Sequence, residues 1–214
     1  MPLHRPPEPA ALTGLPRFRI RDRVLQRVFR ASRSSPWWFS SGNGRFDLPA
    51  PLGACYLART PVAAVLEAFQ HFSGLLPDVE LRLRRRAEVV APSNAPIAAN
   101  LAAPGARGVG VTAAIWADND RSLTQAWAYA LHRAGWRALH HGIQHDPEGR
   151  LRAVTLFDAA GEHAPYEDDN GWASESHTLH DDDRLIMALH RYGVTVLRSD
   201  VHLPVVPLDH SGLV

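Results

Sequence analysis

Between Ala54 and Phe69 the chain changes periodicity within two residues, and this junction constrains the fold more than any other stretch. The run "ACYLA" (54–58) is compact and apolar, as a buried strand requires. Thr60 and Pro61 follow. Thr60 supplies an N-cap acceptor, and Pro61 suits the first helical position, where an N–H would find no partner anyway. Val62, Val65, Leu66, Phe69 and Phe72 then fall on one helical face. The junction therefore predicts a buried strand running directly into an amphipathic helix.

The remaining segments supply more strands than helices. "RVLQRVF" (23–29) reads as a strand, and residues 30–53, rich in Ser, Gly and Pro, as a loop. "VELRLRRRAEVV" (79–90) alternates and predicts a strand. Residues 91–120 read as irregular. Ser122 opens a helix that runs to about Ala134 and stops at Gly135. "WRALHH" and "LRAVTLF" form a strand pair across "GIQHDPEG". After a polar loop, a helix over 181–191 ends at Gly193 and leads into the strand "VTVLRS". The fold class is α+β, with a mixed, mostly antiparallel sheet and flanking helices. Its 214 residues suit one domain. The expected division is a flexible N-terminal arm, Pro-rich, over 1–16, then a single domain over 17–214 with an extension after about 165.

Charge and composition exclude several partners. The 23 basic residues nearly balance the 22 acidic ones, so nothing calls for nucleic acid or an anionic membrane. No apolar run approaches the ~20 residues that span a bilayer. Cys55 is the single cysteine, which rules out an internal disulfide and fits a reducing, cytoplasmic setting. "HHGIQHD" (140–146) and "HTLHDDD" (177–183) carry imidazoles and carboxylates, but neither has the fixed spacing of a known metal motif. Solvated loop histidines are expected there, and no metal.

The order "RVFR…NGRFD…GACYLARTPVAAVLEAF" resembles the RES-domain family, named for an Arg, a Glu and a Ser. "LTQAWAYALHRAGWRALHHGIQHDPEGRLRAVTLF" is similar to the family's second half, so the resemblance spans residues 20–160. It implies a fold shared with ADP-ribosyltransferases and a bacterial toxin paired with an Xre-type antitoxin. It also implies cleavage of the nicotinamide–ribose bond of NAD, with water or inorganic phosphate as acceptor; a few members modify a protein instead. NAD is then substrate, and no cofactor is required.

Elementary chemistry shows what such a reaction needs. Breaking the N-glycosidic bond builds positive charge on the ribose. A placed carboxylate opposes that charge, and Glu67 is the candidate. A pyrophosphate favours planar, bidentate cations, for which Arg45 and Arg27 are candidates. Arg30 competes with Arg27 for the family's first Arg; on one strand the two point to opposite faces and cannot share one role, and Arg27 is preferred. Tyr56 offers an aromatic face for nicotinamide, with Phe46 or Trp38 as neighbours. The family's Ser has no counterpart: an ungapped alignment places Ile143 there, and 123–173 contains no Ser. Gln144, His140, His141 or His145 could supply the hydrogen bond instead. The missing Ser also supports a different reading, an inactive module that binds NAD or a partner.

Overall fold

The computed structural model describes residues 2–72, 74–146, 148–163 and 171–198. Its frame is an eight-stranded sheet. The strands are β1 (Arg17–Arg19), β2 (Val24–Arg30), β4 (Leu52–Ala58), β6 (Arg84–Val90), β7 (Ile97–Asn100), β8 (Ala138–Gly142), β9 (Arg152–Ala159) and β11 (Ala173–Thr178). They lie in the order β1-β7-β8-β9-β4-β2-β6-β11. Only β7 and β8 run parallel; the other neighbours are antiparallel. Two short pairs complete the strands: β3 (Trp38–Phe39) with β10 (Gly161–Glu162), and β5 (Leu75–Pro77) with β12 (Thr195–Leu197). The α+β class with a mostly antiparallel sheet is therefore the observed one.

The junction at Thr60 forms as its residues dictate. Helix α2 (Pro61–Ala68) is capped by the Thr60 side chain, which accepts from the Ala63 N–H at 3.2 Å. Val62, Ala63, Ala64, Val65 and Leu66 are all buried, so the helix is enclosed on most sides rather than along one stripe. Phe69, Leu76, Leu81, Ile143, Leu185 and Leu189 complete the core around it. A second cluster, with Leu12, Phe46, Leu48, Trp127 and Phe157, lies under the helix α5 (Arg121–Arg133).

Several local expectations are corrected. Over the described residues 2–16 the arm is packed against the domain. It contains a short helix α1 (Pro9–Leu12), and Leu3, Leu12 and Leu15 are buried. Trp127 Nε1 donates to the His4 carbonyl at 2.7 Å and Trp136 Nε1 to the Leu12 carbonyl at 2.9 Å. Three leucines spaced along a Pro-rich segment can dock where a wider apolar surface awaits them, which local composition does not reveal.

The predicted strand 79–90 divides into helix α3 (Asp78–Arg82) and β6. Asp78 and Glu80 in the first turn and Arg82 in the last complement the helix dipole, and Asp78 pairs with Arg82 at 2.6 Å. Residues 91–120 hold β7, a 3-10 turn (Pro104–Val109) and a short helix α4 (Ala114–Ala117). Asp120, rather than Ser122, caps α5 by accepting from the Leu123 N–H. The last described helix, α6 (Asp183–Arg191), starts two residues later than expected. The end of the predicted extension, 199–214, lies outside the described residues.

One irregularity positions the site. Strands β2 and β4 are sheet neighbours, yet they pair only at Gln26↔Ala58. Beyond that point the ladder stops, although β2 continues to Arg30 and β4 extends back to Leu52. The backbone groups there need other partners. Ser40 pairs with the Ala54 backbone, and the Arg27 guanidinium donates to the Tyr56 carbonyl at 3.2 Å, as well as to the Trp38 carbonyl at 2.8 Å and Cys55 Sγ.

Candidate active site

A cleft of about 310 Å³ opens at this split. Its walls come from the end of β2 (Arg27–Arg30), Arg33, Gly44 and Arg45, the end of β4 (Tyr56–Ala58), and α2 with its trailing turn (Ala64, Glu67, Ala68, Gln70 and His71). Arg84 and Arg121 close it from β6 and α5. Six arginines thus surround one carboxylate, Glu67.

Glu67 is partly buried at the end of an otherwise enclosed helix. Burial lifts its carboxyl to about 7, opposed first by the nearby Arg45 charge and then by a hydrogen bond that Gln70 Nε2 donates to Oε1 at 3.0 Å. Near neutral pH the group is therefore close to evenly divided between acid and carboxylate. A cation entering the cleft would favour the carboxylate, so the site is poised to respond to positive charge.

Arg45 is buried, and desolvation lowers its pKa, partly offset by Glu67. Its guanidinium donates to the Asp118 carbonyl and to Gln144 Oε1. Gln144 in turn donates to Asn119 Oδ1 at 2.9 Å. A chain of side chains therefore fixes Arg45 from behind while it lines the cleft.

The loop that carries Arg45 is organised by Asp47, which is 1% exposed. One carboxylate oxygen accepts from Ser40 Oγ and from the Tyr56 hydroxyl, each at 2.8 Å. The other accepts from the backbone N–H groups of Asn43 at 3.0 Å and Gly44 at 2.8 Å. Four donors around a buried carboxylate give it full satisfaction without a cation. A Cβ on Gly44 would overlap the Tyr56 hydroxyl and the Asp47 carboxylate, so only glycine fits.

Tyr56 is held at its oxygen: it donates to Asp47 and accepts from the Phe46 N–H at 2.9 Å. Burial, and then the Asp47 charge, push its pKa well above the usual phenol value. Its only proton is committed to Asp47, so it offers the cleft its ring rather than an acid.

The structure brings Glu67, Arg27, Arg30, Arg45 and Tyr56 to one cleft. Arg27 and Arg30 both reach it, despite opposite strand faces, because Arg30 is the last residue of β2 and is exposed. Arg27 is tied to three protein acceptors and braces the open sheet; it is not a free grip for phosphate. Phe46 does not line the cleft. It is fully buried in the core, tilted against His141 with ring centroids 4.6 Å apart.

Ile143 is 3% exposed among Ala58, Val62 and Leu66, so it is a core residue and not a replacement for the family's Ser. Among the proposed substitutes, Gln144 touches a cleft residue, Arg45. His141 is bonded to the Gly142 carbonyl and Thr155 Oγ1, and burial lowers its pKa to about 4. His140 stacks on Phe18 at 3.7 Å and is lowered to about 3, first by desolvation. His145 borders a separate apolar hollow behind α2. Among the described residues no group of three His, Cys, Asp or Glu side chains could hold a metal ion.

Sequence reading missed Asp47, Gln70, Arg33, Arg84 and Arg121. Asp47 stood inside "NGRFD" and Gln70 three residues after Glu67 on the helical repeat, so both had a local signal. Arg84 and Arg121 come from distant segments and had none, and Arg33, three residues beyond Arg30, lay in a loop with no pattern to mark it.

Comparison with known proteins places the chain in a family and matches its fold. The RES-domain family matches residues 23–177, and the chain belongs to it. Among solved structures, the Mycobacterium tuberculosis MbcT–MbcA toxin–antitoxin complex contains a chain that superposes with a TM-score of 0.58 at 17% identity, over 83% of this chain and 94% of that one. That likeness establishes a shared fold. None of the curated proteins matches the chain. No described helix is long and apolar enough to cross a membrane.

Proposed function

We propose that the chain is an NAD-consuming enzyme that cleaves the nicotinamide–ribose bond and passes the ADP-ribosyl group to water or inorganic phosphate. The observation that carries this reading is Glu67, the one carboxylate among the described residues lining an arginine-rich cleft, bonded by Gln70 and facing the Arg45 charge. In the reaction the C1′–N bond breaks and its electron pair leaves with nicotinamide, which becomes neutral. The positive charge passes to the ribosyl ring, where the Glu67 carboxylate opposes it. The Tyr56 ring flanks the nicotinamide, and the Arg45 charge steadies the Glu67 carboxylate. The acceptor oxygen then closes on C1′, and its proton is released to solvent or to Glu67.

Membership of the RES family and the fold shared with a chain of a toxin–antitoxin complex support a further reading, that this activity is toxic and is held in check by a small antitoxin of Xre type. Glu67→Gln tests the chemistry. Nicotinamide release should fall on the order of 10²–10³-fold while the melting temperature holds or rises, because a neutral amide suits a buried site. Unchanged release would remove Glu67 from the reaction.

A further inference from the structure

The cleft has two ends of different character. At one end Glu67, Arg45 and Tyr56 act on one another electrostatically. At the other, Arg30 and Arg84 face each other as register partners on β2 and β6. Like charges directly opposite one another on a sheet destabilise it. Arg33 joins them, with its guanidinium 3.9 Å above the Trp38 ring. That stacking fixes the plane of the fork and leaves its N–H edge available.

These charges are poorly compensated. Among the described residues the ion pairs of this trio amount to one long contact, Arg84 Nη2 to Glu80 Oε2 at 3.9 Å. Glu162 acts on Arg33 through space, without an ion pair between them among the described residues, and accepts from Ser34 Oγ at 2.7 Å. Arg27 and Arg45, by contrast, are tied to protein acceptors. Mutual repulsion and burial both depress the Arg33 guanidinium, burial first.

We infer that Arg30, Arg33 and Arg84 form the anion grip of this cleft and hold the pyrophosphate of a dinucleotide whose glycosidic bond lies at the Glu67 end. The inference rests on the proposed reaction for its orientation and adds the residues, remote from the reacting atoms, that select a dinucleotide over a mononucleotide. A pyrophosphate presents several acceptor oxygens to convergent forks and relieves the repulsion among them.

The test uses the full chain and its Arg33→Gln/Arg84→Gln double variant, with ADP-ribose, ribose 5-phosphate and inorganic pyrophosphate as calorimetric probes. Wild type should bind ADP-ribose and pyrophosphate, and the double variant should bind both at least about tenfold more weakly, with ribose 5-phosphate less affected. In turnover the loss should fall on KM for NAD rather than on kcat. Removing like charges should leave the melting temperature unchanged or higher; if it drops, Arg33→Lys alone, which keeps the charge but loses the fork, must still weaken ADP-ribose. Equal binding by wild type and variant, or no binding of ADP-ribose by wild type, overturns the inference. Wild type that binds ADP-ribose through these residues yet releases no nicotinamide overturns the proposed reaction instead.

Discussion

Replacing Gln70 by Leu removes one support of the Glu67 charge while leaving the acid and every arginine in place. Burial lifts that carboxyl to about 7 against the opposing pull of Arg45 and then of Gln70, whose Nε2 donates to Oε1 at 3.0 Å. A hydrogen bond to a charged group contributes about 1.5–3 kcal/mol, and one pH unit corresponds to about 1.4 kcal/mol. Gln70 is partly exposed, so the low end applies, and the midpoint should move from about 7 to about 8. In the proposed reaction the carboxylate is the active form, so kcat/KM should rise with pH through this midpoint, and a higher midpoint moves the rise to higher pH. At pH 7 the ionised fraction falls from about one half to about one tenth, a loss of roughly fivefold in kcat/KM that should almost vanish by about pH 9. The assay is nicotinamide release from NAD at concentrations below KM, followed from about pH 5 to about pH 9. A loss of equal size at every pH, or a rise that stays in place, would refute the claim that Gln70 acts through the charge on Glu67.

Asp47→Ala should destabilise the fold by about 3 kcal/mol or more, because the Tyr56 hydroxyl, Ser40 Oγ and two backbone N–H groups lose a buried acceptor; chemical denaturation measures this. Ile143→Ser should cost roughly 2–5 kcal/mol by thermal or urea unfolding and should not raise turnover, since the residue is enclosed by core side chains rather than facing the cleft.

Much of the frame was legible in the sequence because its determinants are local. The Thr60–Pro61 start of α2, the apolar run that became β4 and the pairing of β8 with β9 follow from periodicity, capping and short connections. Glu67 could be placed on α2 for the same reason. Its environment could not: periodicity made it a residue opposite an apolar face, whereas the fold closes β2, Arg45 and Gln70 around it and shifts its ionisation. The alternation in 79–90 misled because five residues satisfy a short helix as well as a strand, and the charges at its ends decided between them.

The role of Arg27 depends on the incomplete β2–β4 ladder, and no spacing in the sequence reports where a ladder stops. The meeting of Arg84 with Arg30 and Arg33, and of Arg45 with Glu67 and Gln144, arises from strands and loops that come together only when the sheet has formed. Local segments determined which elements form and which side chains they carry. Strand order and the opening in the sheet decided which of those side chains share a cleft, because electrostatic and hydrogen-bond partners are set by distance in space and not along the chain.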